Sequence, residues 1–212
     1  MARHVCEQCL KAKAACICDW VSPISNQTRV VILQHPDETK KALGTARIAS
    51  LCLDNVELRV GIDFSNDPLF KSLVSDSRHC AAVLYPSDKA INLNDWMEGS
   101  PLFNDLERAN AYKTLIVLDG TWRNTREIML SNKSLKDMLK VKLSSNKSSA
   151  YRIRKAPMAE SLSTVEAISL SLNILEPETQ VEPMLNCFKK MIDYQIACMG
   201  EEVYRRNYID KS

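Results

Sequence analysis

Short apolar runs alternate along the chain with longer segments of helical periodicity. The apolar runs cover residues 29–35, 55–61, 79–86, 113–120 and 140–145, and their continuous apolar character is typical of strands that are buried on both faces. The helical segments cover residues 38–52, 122–130, 163–175 and 181–199. Strands that alternate with helices in this way predict an α/β domain with a mostly parallel sheet.

Polar residues stand at the ends of three of these apolar runs. The three tips are His35-Pro36, Tyr85-Pro86-Ser87 and Asp119-Gly120-Thr121-Trp122. Because ligands of parallel α/β sheets bind outside the carboxyl ends of the strands, these tips are the candidate functional residues of the fold.

Composition and charge limit the classes of function. The 212 residues are 45% hydrophobic, which suffices for one full core and a small appended module. The net charge of +2 means that any nucleic-acid surface must be a local patch.

With only five glycines the chain has neither a Gly-x-Gly-x-x-Gly fingerprint nor a phosphate-binding loop, which argues against nicotinamide and ATP enzymes. The sequence shows no apolar targeting or membrane-spanning run, so we expect a soluble, cytoplasmic protein.

Four of the eight cysteines lie close together near the N-terminus, in the segment CEQCLKAKAACIC. Two close pairs of thiolates suit a tetrahedral metal ion, and four sulfur ligands favour a structural zinc with no open position for water. Disulfides, a redox site and an iron-sulfur site are the alternatives. We predict zinc ligands at Cys6, Cys9, Cys16 and Cys18, a knuckle over residues 1–24 and an α/β domain over residues 25–212. The other four cysteines are expected to be small buried hydrophobic residues.

Several motifs occur together in a fixed order. They are the four-cysteine knuckle, LQHPDETKKALGTARIA, VLYPS, LIVLDGTW, YRIR and LSTVEAIS. In this order they resemble the DTW-domain family, whose Asp-x-Thr-Trp signature stands here as Asp119-Gly120-Thr121-Trp122.

The resemblance implies a fold, a reaction and its substrates. The fold is akin to the SPOUT methyltransferases, with a C-terminal trefoil knot. The reaction moves the 3-amino-3-carboxypropyl group of S-adenosylmethionine to N3 of a uridine in tRNA and releases methylthioadenosine. The expected target is the variable loop, and the D-loop, in which other family members act, is the alternative. A methyltransferase of the SPOUT type and a non-catalytic zinc-containing RNA-binding protein remain as alternatives.

Asp119 is the candidate catalytic residue for that reaction. Uridine N3 carries a proton at neutral pH, and a carboxylate near it can act as a general base or balance positive charge. Alternatively, Asp119 orients or caps the following helix, with Thr121 as its N-cap. Trp122 either stacks on a base or fills the core.

Ser163, Thr164 and Glu166 open the segment STVEA. The three-residue spacing of Ser163 and Glu166 predicts a capping box. Because a helix N-terminus also binds carboxylates, the same end can hold the methionyl tail. The predicted cofactor-binding residues are Tyr85, Pro86, Gly120, Thr121, Trp122, Ser163, Thr164 and Glu166.

Basic and ring-bearing side chains around these motifs are candidate tRNA contacts. They are His35, Lys40, Arg47, Arg123, Arg126, Arg152 and Arg154, and clusters of this kind contact phosphates or stack on splayed bases. The alternatives are a solvated charged face and, for His35, a strand-end histidine with its own partners.

Overall fold

The computed structural model describes residues 4–41, 43–75, 79–98, 112–144 and 162–210. Its strands are β1 (Arg29–Gln34), β2 (Val56–Val60), β3 (His79–Leu84), β4 (Ile91–Asn92), β5 (Tyr112–Asp119) and β6 (Leu139–Lys142). Its α-helices are α1 (Ala46–Cys52), α2 (Pro68–Ser75), α3 (Leu93–Glu98), α4 (Trp122–Ser131), α5 (Lys133–Asp137), α6 (Thr164–Leu175), α7 (Glu182–Met199) and α8 (Glu201–Tyr204).

The six strands form one sheet in the order β2-β1-β5-β3-β6-β4. Every pairing between these strands is parallel, as the alternation of strands and helices predicted. The carboxyl ends of β1, β3, β5 and β6 therefore meet at one edge of the sheet. In the central pair Gln34 of β1 lies beside Asp119 of β5.

Helices cover both faces of the sheet. Alternate residues of β1 and β5, such as Ile32 and Val117, pack in one cluster with α1, α6 and α7. The residues between them, such as Leu33 and Ile116, pack in a second cluster with α2, α4 and α5. Burial on both faces explains why these strands read as continuous apolar runs.

The predicted helix over residues 38–52 is wrong in its first half. Pro36–Glu38 form a 3₁₀ turn, and α1 begins only at Ala46. Between them, backbone N–H groups of Lys41 and Gly44 donate to the carbonyls three residues before them. Such bonds form tight turns, and Gly44 disfavours an α-helix at this point. The apolar periodicity of the segment therefore begins earlier than its α-helix.

The N-terminal segment packs against the helices on the α7 side of the sheet. Ile17 and Cys9 are buried within the first core cluster. The hydroxyl of Tyr194 on α7 donates to the carbonyl of Ala14. The knuckle thus shares its hydrophobic contacts with the α/β core. Among the described residues, no helix combines the length and the apolar character that crossing a membrane requires.

Candidate active site and metal centre

A cleft with a volume of about 390 Å³ opens at the carboxyl ends of β3, β5 and β6, beside the first turns of α4 and α6. Its walls are mainly apolar, with a few polar groups, as is usual for small-molecule sites of this size. The residues that line it are Leu84, Tyr85, Pro86, Val117, Leu118, Gly120, Trp122, Thr125, Lys142, Leu143, Leu162, Thr164 and Ala167.

Asp119 ends β5 immediately behind this cleft, where 6% of its surface is exposed. Its Oδ2 accepts a hydrogen bond of 2.7 Å from Nε2 of Gln34. Its Oδ1 accepts a short hydrogen bond from the hydroxyl of Thr164. Gln34 and Asp119 are neighbours in the pairing of β1 with β5. Neighbouring residues of parallel strands point to the same face of the sheet, so this register explains the bond from Gln34. Both carboxylate oxygens are therefore held by uncharged donors.

The electrostatic environment of Asp119 raises the pKa of its carboxyl. Burial raises the pKa of this carboxyl above the ordinary value of 3.8, because a low-dielectric site disfavours the charge. The hydrogen bonds from Thr164 and Gln34 act in the opposite direction. Glu38 raises the pKa of Asp119 further and Lys41 lowers it, and these two side chains pair with each other at 2.7 Å. The net effect is a carboxyl that binds a proton more readily than an exposed aspartate does.

The turn after β5 places an indole at the cleft. A Cβ on Gly120 would lie 2.9 Å from Cβ of Asn124, so the sharp turn into α4 requires glycine there. Oγ1 of Thr121 accepts a hydrogen bond of 3.2 Å from the backbone N–H of Asn124, which confirms Thr121 as the N-cap. The carboxylate of Asp119 accepts its hydrogen bonds from Gln34 and Thr164, so Thr121 and not Asp119 caps α4. Trp122 is 49% exposed and lines the cleft, so the core-filling alternative for this residue is wrong.

The start of α6 forms the predicted capping box. The side chain of Ser163 accepts from the N–H of Glu166 at 3.4 Å, and the Glu166 carboxylate accepts from the N–H of Ser163 at 2.8 Å. These two side chains are buried, and neither lines the cleft. Thr164, the first residue of the helix, does line it. The capping interpretation of the Ser163–Glu166 pair is confirmed, and its contact with a cofactor stays a prediction.

Five of the predicted cofactor-binding residues lie together at the cleft. They are Tyr85, Pro86, Gly120, Trp122 and Thr164. Sequence reasoning missed Gln34, which continues the alternation of Val30 and Ile32 on the face of the sheet that packs on α6. The alternation can be recognised in the sequence. The pairing of β1 with β5, which places Gln34 beside Asp119, cannot be predicted from the sequence.

The predicted RNA-contact residues have different environments. His35 is 5% exposed, which disfavours stacking on a base. Its Nδ1 accepts from the N–H of Asp37 at 3.2 Å, whereas its Nε2 has no hydrogen-bond partner among the described residues and lies 3.6 Å from the Glu127 carboxylate. The guanidinium of Arg47 donates to the carbonyl of Gln8 in the N-terminal segment. Lys40, Arg123 and Arg126 are exposed. Arg152 and Arg154 lie outside the described residues.

The four N-terminal cysteines form one cluster, with all four Sγ atoms within 4.8 Å of one another. The Sγ atoms of Cys6 and Cys18 are 3.6 Å apart, and those of Cys9 and Cys16 are 3.7 Å apart. Zinc–sulfur bonds of about 2.3 Å in a tetrahedron set neighbouring sulfurs about 3.8 Å apart. The cluster is therefore compatible with a zinc ion bound by four thiolates.

The thiols of this cluster ionise to different extents. Backbone N–H groups of Cys9 and Gln8 lower the pKa of Cys6 to about 6. Burial and the neighbouring thiols raise the pKa of Cys18 to about 12. Four thiolates at this spacing would repel one another without a bound cation, and a metal ion keeps the thiols that coordinate it deprotonated.

Comparison with known proteins places the chain in a family. A family model described as the DTW domain matches residues 3–196. The chain is 29% identical over 201 residues to tRNA-uridine aminocarboxypropyltransferase 2 of Macaca fascicularis, an alignment that covers 92% of this chain and 64% of the macaque protein. It is 31% identical over 202 residues to the Drosophila melanogaster protein of the same name. That alignment covers 90% of this chain and 76% of the Drosophila protein.

A plant relative extends the range of the similarity. The chain is 24% identical over 220 residues to tRNA-uridine aminocarboxypropyltransferase A of Arabidopsis thaliana, with 91% of this chain and 81% of that protein covered. No solved structure matches the chain significantly. The chain spans about 64% of the length of the macaque and mouse relatives. Since the family model covers most of the sequence, the chain belongs to the DTW-domain family.

Proposed function

We propose that this chain transfers the 3-amino-3-carboxypropyl group of S-adenosylmethionine to N3 of a uridine in tRNA, with release of methylthioadenosine. The observation that carries the proposal is the buried carboxyl of Asp119, set behind a mainly apolar cleft at the carboxyl edge of the sheet. The names of the macaque, Drosophila and Arabidopsis relatives support this reaction.

The cleft has the character that S-adenosylmethionine requires. Its volume of about 390 Å³ lies within the range of small-ligand sites. Apolar side chains at the ends of β3 and β6, such as Leu84 and Leu143, offer a surface for a purine ring. The half-exposed indole of Trp122 offers a flat face for the adenine or the target base. The methionyl part then lies toward Thr164 at the start of α6.

The displacement needs a proton acceptor and no acid. The sulfonium leaves as a neutral thioether, whereas uridine N3 must lose its proton. Asp119 has a pKa raised by burial and is the acceptor that we propose. A positioned acid or base of this kind contributes roughly 10²-fold to 10⁴-fold to a rate.

The tRNA is proposed to approach across α4, α5 and β6. Between residues 121 and 144 the chain has six basic and two acidic side chains, a charge excess larger than that of the whole chain. Arg123 and Arg126 on α4 are exposed beside Trp122, and Lys142 lines the cleft. This is the local basic patch that phosphate binding requires. The variable loop is the proposed target, with the D-loop as the alternative.

We further propose a structural zinc ion at the four cysteines, a division into residues 1–24 and 25–212, and a SPOUT-like fold with a C-terminal trefoil knot. The Sγ distances of the cluster support the zinc. The wholly parallel pairing of the described strands is compatible with the fold proposal. A cytoplasmic location is proposed with them.

The by-product of the reaction tests the function. The purified chain is incubated with S-adenosylmethionine and unmodified tRNA, and the small molecules are separated and identified. Aminocarboxypropyl transfer releases methylthioadenosine, whereas methyl transfer releases S-adenosylhomocysteine. Release of S-adenosylhomocysteine would replace our proposal with the methyltransferase alternative. Binding of tRNA without either by-product would favour the non-catalytic alternative.

A further inference from the structure

Asp119 does not itself line the cleft. Its carboxylate is enclosed by Gln34 on Oδ2 and by Thr164 on Oδ1, and the cleft wall at this point is formed by Gly120 and Thr164. A ligand in the cleft can therefore contact Thr164 directly, whereas the carboxylate of Asp119 lies behind it.

The Thr164 hydroxyl has the hydrogen-bonding capacity of a relay. A hydroxyl donates one proton and accepts through two lone pairs. Its proton is directed to Oδ1 of Asp119, which leaves the lone pairs of Oγ1 to accept a proton from a group in the cleft. The capping box formed by Ser163 and Glu166 fixes the backbone on the N-terminal side of Thr164, so the hydroxyl is held at a defined place.

We propose, on the basis of the function proposed above, that Thr164 is a catalytic residue that takes the N3 proton of uridine and passes its own proton to Asp119. As N3 forms its bond to the γ-carbon of the methionyl part, the bond from that carbon to sulfur breaks, and its electron pair remains on the sulfur. The N3 proton moves to Oγ1 of Thr164, and the proton of Oγ1 moves to Oδ1 of Asp119. The sulfonium charge is lost as the carboxylate is neutralised.

The surroundings of Asp119 suit the end of such a relay. Burial raises the pKa of Asp119, so the carboxylate gains a proton more readily than an exposed one. Of the charged groups in the described part of the chain, Glu38 and Lys41 act on it, in opposite directions. Gln34 holds Oδ2 throughout, so that Oδ1 stays directed at Thr164.

Two substitutions at Thr164 separate a relay from a binding or structural role. Thr164→Val keeps the shape and removes the hydroxyl, whereas Thr164→Ser keeps the hydroxyl. Single-turnover transfer is measured at saturating S-adenosylmethionine and tRNA, and binding of S-adenosylmethionine is measured by calorimetry. We expect the valine variant to lose roughly 10²-fold to 10⁴-fold in transfer even at saturating S-adenosylmethionine, where a weakened cofactor contact alone has no effect. The serine variant should keep most of its activity.

The outcomes distinguish the relay from the function on which it rests. Wild-type protein that releases no methylthioadenosine would overturn both. An active wild-type protein with a folded, equally active valine variant would overturn the relay alone. A valine variant that binds S-adenosylmethionine more weakly and recovers full transfer at saturation would make Thr164 a cofactor-binding residue, which also overturns the relay. Equal loss of transfer by the serine and valine variants would show that the hydroxyl is not the determinant.

Discussion

At the scale of single residues, Asp119 has an environment that stability alone would not select. Among the described residues its hydrogen-bond donors, Gln34 and Thr164, are both uncharged. Lys41, the cation that lowers its pKa, is itself paired with Glu38, and a buried carboxylate without an ion-pair partner of its own is costly. Burial raises the pKa of Asp119 in the folded protein above its value in the unfolded chain. The protonated carboxyl therefore makes its full contribution to stability at a pH below the pKa of the unfolded chain. That contribution is lost as the pH rises through the folded pKa. Perturbed groups of this kind are typical of functional sites.

Asp119→Asn should therefore separate activity from folding. The amide keeps the size of the carboxyl but does not accept a proton, so transfer should fall by roughly 10²-fold to 10⁴-fold. Binding of S-adenosylmethionine and tRNA should persist. The unfolding temperature at neutral pH should be unchanged or higher, because the buried charge is removed. Single-turnover transfer and thermal unfolding measure the two effects, and near-normal transfer with both ligands bound would contradict the proton-acceptor role.

The pH dependence of the wild-type reaction provides a second check on the same carboxyl. Transfer should decline as the pH falls through the pKa of Asp119, at a pH above the 3.8 of an ordinary aspartate. Glu38 and Lys41 both act on this titration, so ligand binding must be followed over the same pH range. The residual activity of Asp119→Asn should lack the acid limb that Asp119 causes in the wild-type profile.

At the scale of secondary-structure elements, the long periodic segments were predicted more completely than the shortest ones. The strand at residues 113–120 and the helix at 181–199 were predicted nearly as they are found, because burial imposes a clear pattern over many residues. The two-residue strand β4 and the short helices α3 and α5 carry too few residues for a pattern. The bond between Gln34 and Asp119 depends on register, which tertiary packing decides.

The N-terminal knuckle is an element whose order we expect to depend on the proposed zinc ion. Cys9→Ser removes one of four thiolates, so zinc should be lost and the unfolding temperature lowered, because Cys9 and Ile17 pack in the main core. The matched control is Cys198→Ser, which should keep its zinc. Cys198 on α7 is exposed, so the prediction that it is buried was wrong. Metal analysis and thermal unfolding are the measurements. Full zinc occupancy in Cys9→Ser would contradict the four-thiolate site.

At the scale of the whole molecule, basic side chains are concentrated in one stretch of the chain that borders the cleft. The helices α4 and α5 and strand β6 lie within the basic stretch from residue 121 to 144. The entire chain has a net charge of only +2, which does not reflect the excess of basic side chains next to the cleft. Long-range attraction of RNA depends on such a local field and not on the total charge. The cleft and the basic surface share α4, whose first residue is Trp122.

The basic surface can be tested with two arginine substitutions on opposite faces of the sheet. Arg123 is exposed on α4 beside the cleft, whereas Arg206 is exposed near the C-terminus, beside Tyr204 and Tyr208, which pack on the cluster that contains α7. If Arg123 contacts a tRNA phosphate, Arg123→Ala should weaken tRNA binding and reduce the slope of log affinity against log salt by roughly one. Transfer at saturating tRNA should change little. Arg206→Ala should leave both the affinity and the salt slope unchanged. Equal weakening by the two substitutions would indicate a general charge effect, and an unchanged slope in Arg123→Ala would place the RNA elsewhere on the molecule.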